Sequence, residues 1–145
     1  MDHVGVVVDD LVAATEFFVQ LGLEAHGGGS VEGEWVERII GLDGVQVEFA
    51  FVQTPDGHGR LELIKFNAPP AQGDDGDAPA NARGIRHLAF VVDDIDAAVA
   101  GLRDQGNDLV GEVVRVGNSF RLCYVRGPEG IIVELAEAIS DDTDP

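Results

Sequence analysis

Two histidines and two glutamates recur at matching places in this chain. DHVGVVVDDL spans residues 2–11, and RHLAFVVDDI follows at 86–95, with His3 and His87 in the same position near the start of each stretch. LELIKF carries Glu62 and IIVELAE carries Glu134, each flanked by apolar residues. Neutral imidazole nitrogens and carboxylate oxygens are the donor set of a borderline first-row transition metal. Two carboxylates bring two negative charges and two imidazoles bring none, so one divalent cation would balance the four. The expected ion is zinc, nickel, cobalt, manganese or ferrous iron. With one oxygen from each glutamate, an octahedral ion keeps two adjacent positions open for substrate oxygens.

The placement of these residues on strands carries the argument. Alternate side chains of a strand share a face. His3, Gly5 and Val7 point one way and Val4, Val6 and Val8 the other, while His87, Ala89 and Val91 oppose Leu88, Phe90 and Val92. The bulky set suits packing under a helix, and Gly5 or Ala89 leaves room beside the imidazole. A carboxylate buried without a partner costs several kcal/mol, a cost that a shared cation removes. Gly5 has become Ala89 and Val6 has become Phe90, yet the histidines and glutamates are unchanged. His26 and His58, in glycine-rich stretches without counterparts, are read as surface residues.

The elements that must position them form an internal repeat. Asp2–Ala14 aligns with Arg86–Ala98, pairing Asp9-Asp10 with Asp93-Asp94 and Ala13-Ala14 with Ala97-Ala98; Gly22 falls on Gly106 at the same offset. Near the module ends, Pro55-Asp56-Gly57 faces Pro128-Glu129-Gly130. His3 to Glu62 is 59 positions and His87 to Glu134 is 47, so the first module is 12 longer. The extra length is assigned to residues 26–42, HGGGSVEGEWVERIIGL, read as a mobile glycine-rich stretch and a short helix around Trp35–Ile40.

Each module reads as strand, helix and three more strands. Asp9 or Asp10 caps a helix with Leu11, Ala14, Phe18 and Leu21 on one face, stopped by Gly22; Ile95, Ala98, Val99 and Leu102 form the second stripe, stopped by Gly106. The remaining strands are expected at 23–26, 45–53 and 59–66, then at 108–116, 119–127 and 130–137. The fold class is therefore α+β: two βαβββ modules in tandem, forming a cupped, barrel-like mixed sheet with helices outside. The first module occupies 1–66, a Pro-, Gly- and Asp-rich linker 67–84, the second module 85–138, and a disordered acidic tail 139–145.

Composition narrows the partners. The 145 residues carry a net charge of −18, from 27 acidic residues against nine basic ones. Phosphate backbones and anionic membranes repel such a chain, so neither nucleic acid nor a membrane is an expected partner. No apolar run approaches the roughly 18–20 residues needed to span a bilayer. No secretory signal is visible, and Cys123 is the one cysteine, which fits a reducing cytoplasm.

DHVGVVVDDL, GRLELIKF, GIRHLAFVVDDIDAAV and VRGPEGIIVELAE together resemble the vicinal oxygen chelate superfamily, which includes glyoxalase I, methylmalonyl-CoA epimerase, extradiol dioxygenases and bleomycin- or fosfomycin-resistance proteins. The resemblance implies paired βαβββ modules around a metal, with ligands on the first and last strands of each: His3, Glu62, His87 and Glu134. A carboxylate at Glu62 resembles the glyoxalase and epimerase pattern rather than the three-ligand pattern of the dioxygenases and fosfomycin enzymes. It implies a metal-dependent lyase or isomerase that abstracts a proton next to a metal-bound carbonyl through an enediolate or enolate, with Glu134 as principal base and Glu62 as its opposite-face partner. The alternatives are a metal-free antibiotic-binding protein of bleomycin-resistance type and a diverged Fe(II) extradiol dioxygenase. A small-molecule substrate and a homodimer are the implied partners; the linker permits a self-contained or a module-exchanged site. No basic cluster stands ready for the carboxylates of glutathione or the phosphates of coenzyme A; Arg38, Arg60, Arg121 and Arg126 are scattered, any of them could serve, and each is read first as an exposed strand or loop charge.

Overall fold

The computed structural model describes residues 1–73 and 76–140. The chain divides into two compact units, Met1–Gly73 and Asp74–Pro145. Each unit is an open four-stranded mixed sheet, and neither closes into a barrel by itself.

In the first unit the order of elements is β1 (Val4–Val7), α1 (Leu11–Leu21), β2 (Glu24–Glu32), α2 (Glu34–Ile40), β3 (Gln46–Gln53) and β4 (Arg60–Ala68). The sheet order is β1-β4-β3-β2, with β1 parallel to β4 and the other pairs antiparallel. α1 starts at Asp10, whose side chain accepts the Ala13 amide, and stops at Gly22 in the left-handed conformation. It packs Ala14, Phe17 and Phe18 against one face of β3 and β4, where Val52, Leu61 and Leu63 are also buried. This core buries the bulky alternate residues of the strands and leaves the other face for the chemistry.

The insertion departs from expectation. His26 to Glu32 is not a mobile loop but the body of β2, which pairs with β3 over its length apart from a bulge between Ala25 and Gly28. Glycine is required there by close approach. A side chain at Gly28 would run into the backbone of Phe49 and Ala50, and one at Gly29 would press on the Phe49 ring at 3.4 Å. α2 then folds back, burying Val36 with Val45 and Val47, beside Val31, Ile64 and Phe66. Val47, Ile64 and Phe66 alternate in phase with Glu62. α2 therefore covers one end of the face that carries the candidate ligands, while Trp35 and Ile39 remain exposed.

The second unit runs β5 (His87–Val91), α3 (Ile95–Asp104), β6 (Val114–Val116), β7 (Phe120–Arg126), a 3₁₀ turn at Pro128–Gly130, and β8 (Ile132–Ala138). Its sheet order, β5-β8-β7-β6, repeats that of the first unit. Asp94 caps α3 by accepting the Ala97 amide, and Ile95, Val99 and Leu102 are buried. Cys123 and Leu135 lie opposite each other in the core under this helix, and burial pushes the thiol pKa up. The strand expected at 108–116 is broken. Leu109 bridges to Val125, pairing then lapses, and only Val114–Val116 rejoin the sheet. Of the acidic tail expected at 139–145, residues 141–145 lie outside the described residues, and the Ile139 amide is bonded to the Ser119 carbonyl at 2.9 Å. Among the described residues no helix is long and apolar enough to cross a membrane.

Candidate metal centre

The repeat extends to strand register. Gly5 is the partner of Glu62 in the parallel β1–β4 pair, and Ala89 is the partner of Glu134 in the β5–β8 pair. In each case the small residue sits two positions after the histidine, so the imidazole and the carboxylate share a face. His3 Nε2 lies 2.8 Å from Glu62 Oε2, and His87 Nε2 lies 3.1 Å from Glu134 Oε2. The glutamates are partly buried, at 24% and 21% exposure, and the histidines are more open, at 34% and 38%. The fully buried carboxylates that would demand a counter-charge are therefore not present. The glutamates are shielded on one side and reachable from the other.

Each pair suits two adjacent ligand positions. Ligand atoms at about 2.1 Å from an octahedral ion stand about 3 Å apart along an edge, as the paired N and O atoms do. Among the described residues, no group of three or more His, Cys, Asp or Glu side chains is gathered as a metal cluster. Within each unit the gathered donors are one nitrogen and one oxygen.

The two histidines are braced differently. In the first unit Asp2 Oδ2 accepts from His3 Nδ1 at 2.6 Å, which holds the ring and leaves Nε2 facing Glu62. That hydrogen bond, aided by the charges of Arg60, His3 and the N-terminus, lowers the Asp2 pKa. A carboxylate on the far nitrogen is the usual outer partner of a metal-binding histidine. In the second unit the neutral Tyr124 hydroxyl takes that place, 3.4 Å from His87 Nδ1, with ring centroids 5.0 Å apart. Arg86 occupies the position equivalent to Asp2, and its guanidinium turns back to the Ile85 carbonyl.

Phe51 and Tyr124 were not singled out in the sequence. They face Glu62 and Glu134 directly across the antiparallel pairs β3–β4 and β7–β8. Phe51 also packs its ring edge-on to His3, with centroids 5.6 Å apart. The signal was available: pairing the strands through the TPDG and GPEG turns puts an aromatic residue opposite each glutamate.

The four arginines are not equivalent surface charges. Arg121 makes a bidentate pair with Asp96 at 2.8 Å, bracing β7 against α3 and lowering the Asp96 pKa. Arg126 donates to the carbonyls of Gly76, Ala78 and Gly130 and fastens the chain before β5. Arg60 is half-buried on the ligand face, its guanidinium carbon 3.9 Å from the Phe51 ring centroid. Arg38 lies in the last turn of α2. His26 sits on β2 rather than in a loop, 3.5 Å from Glu24, and His58 is in the exposed turn before β4. Both remain away from the paired donors.

The profile of the Glyoxalase/Bleomycin resistance protein/Dioxygenase superfamily matches residues 2–124. The chain belongs to this superfamily. A glyoxalase family protein from Bacillus cereus is 48% identical, with a TM-score of 0.93 over 97% of this chain and 94% of that one. The uncharacterized protein YaeR of Escherichia coli is 38% identical over 84 residues, which are 57% of this chain and 60% of YaeR; the match thus spans about three fifths of that relative's length. A superfamily fold is also shared with the fosfomycin resistance protein FosX of Listeria monocytogenes, at 17% identity and a TM-score of 0.61 over 93% of this chain and 86% of that one. That structure is of a point mutant in complex with Mn(II) and 1S,2S-dihydroxypropylphosphonic acid.

Proposed function

We propose that this superfamily member is a metal-dependent lyase or isomerase of glyoxalase or epimerase type, in which His3, Glu62, His87 and Glu134 hold one divalent cation. The observation that carries this reading is the identical His–Glu pairing in both units: the same strand register, the same pair of atoms, 2.8 and 3.1 Å apart. Four donors from two equivalent pairs meet the coordination needs of such an ion. The pairs come together within one chain or across a homodimer.

When bound, the cation supplies Lewis-acid polarisation of a substrate carbonyl, which acidifies the adjacent C–H. The chain's own side chains carry the proton. Glu134 would accept it once its carboxylate is released from the cation as substrate arrives, and Glu62 would work on the opposite face of the same carbon. Return to that carbon from Glu62 inverts it, and return to the neighbouring carbon completes a glyoxalase-type rearrangement. Asp2 and Tyr124 keep the two imidazoles oriented from their Nδ1 atoms.

Metal analysis of protein purified without chelator, followed by a screen of hemithioacetals and acyl-CoA thioesters, tests the reading. About one transition metal per chain is expected. Glu134→Gln should keep metal partly bound while lowering turnover at least ~100-fold, the span of a lost general base. Undiminished turnover removes Glu134 from its role. No metal, even after reconstitution, turns the assignment toward a binding protein, and oxygen uptake with catechols turns it toward a dioxygenase.

A further inference from the structure

The repeat makes Arg60 anomalous. Aligning Glu62 with Glu134 puts Arg60 over Ile132, which is 2% exposed and part of the second unit's core. The fold therefore accepts an apolar side chain at this strand position, and the first unit has a guanidinium there instead. Arg60 and Glu62 are two residues apart on β4, on one face, with their Cα atoms ~7 Å apart. The chain has only nine basic residues among 145, so a cation placed beside a candidate ligand calls for a reason.

Its surroundings hold it in place without using up its donors. The guanidinium carbon lies over the Phe51 ring, 3.9 Å from its centroid, a cation–π contact that costs it no N–H group. Its ion-pair partner is Asp2 at 3.5 Å, whose closer contact is His3 at 2.6 Å. Arg60 Nε is buried with no hydrogen-bond partner. That nitrogen is sealed from solvent, so an arriving oxyanion would meet the terminal N–H groups of a side chain that is 32% exposed, where charge-assisted hydrogen bonds can form. Asp2 would keep its histidine.

We propose that Arg60 determines specificity by binding a carboxylate carried by the substrate, next to the oxygens that reach the cation. This rests on the metal-dependent reading above. A carboxylate is favoured over a phosphate because Asp2 already places a negative charge 3.5 Å from the guanidinium, and a dianion would meet twice the repulsion from it.

The test uses two probes of nearly equal shape: butyrohydroxamate, and the monohydroxamic acid of succinate, in which a carboxylate replaces the terminal methyl. Dissociation constants are read from the Co(II) absorption of the cobalt-loaded protein. The wild type should bind the carboxylate probe about tenfold more tightly, the equivalent of one charge-assisted contact. Arg60→Met should erase that preference while binding butyrohydroxamate as before, and Arg60→Lys, which keeps the charge and covers against misfolding of the first variant, should retain part of it. Equal binding of both probes by the wild type, or an unaltered preference in Arg60→Met, overturns the proposal. Failure of the protein to take up cobalt instead brings down the metal reading, and this proposal with it. Propylphosphonate displacing the carboxylate probe more strongly than butyrate does would overturn the choice of carboxylate.

Discussion

Asp2→Asn is the perturbation that most directly separates a metal-binding His3 from a merely hydrogen-bonded one. The substitution keeps side-chain volume and an oxygen that can accept from Nδ1, but removes the charge 2.6 Å from the ring. Outer-shell carboxylates of this kind are worth about 10–100-fold in metal affinity. Asp2 is 76% exposed, so solvent screens its charge and the lower end applies. The expected loss is therefore about tenfold. Tyr124→Phe provides the internal comparison: its hydroxyl is neutral and 3.4 Å from His87 Nδ1, beyond a strong hydrogen bond, so the effect should stay within about threefold. The assay is competition for Zn(II) or Co(II) against a chromophoric chelator at fixed pH and salt. Unchanged affinity in Asp2→Asn would refute the idea that this carboxylate braces a ligand. A larger loss in Tyr124→Phe than in Asp2→Asn would reverse the inequality read between the two histidines.

Other outcomes follow from packing and charge. Phe18 is fully buried on the inner face of α1, and Phe18→Ala should cost about 3–5 kcal/mol in denaturant unfolding; a loss below about 1 kcal/mol would mean the site collapses freely. The Asp96 carboxyl is held below its ordinary range by Arg121, so this pair adds stability above roughly pH 4 and loses it as pH falls through the depressed value. Asp96→Asn should accordingly lower stability at neutral pH and flatten its acid dependence. Parallel curves for the two proteins would dismiss the link.

Much of this arrangement was legible because strand faces have a period of two and the copies preserve it. The Asp10 and Asp94 caps and the Gly22 stop are local signals that the structure uses, and each histidine lies beside the glutamate of its own unit. The glycines at 27–29 misled, because a glycine run signals a loop equally well when it marks close backbone approach, as at Gly28 against Phe49. Phe51, and the particular place of Arg60 beside it, were not legible for a different reason. Their significance comes from the cross-strand pairing of β3 with β4 and from the stacking of one on the other, neither of which a linear pattern carries. The break in β6 was equally hidden, since isolated β-branched residues around Gly111 read as a continuous strand.

The location of the length difference has an evolutionary consequence. Glu62 and Glu134 ride on inner strands, clasped by a neighbour on either side, whereas β2 with nine residues and β6 with three are the outermost strands, farthest from β1 and β5. Growth or loss at that remote margin leaves the histidine–glutamate spacing undisturbed. One half of a duplicated scaffold was thereby free to acquire a longer outer strand and an extra helix, while both halves kept the same spacing between histidine and glutamate.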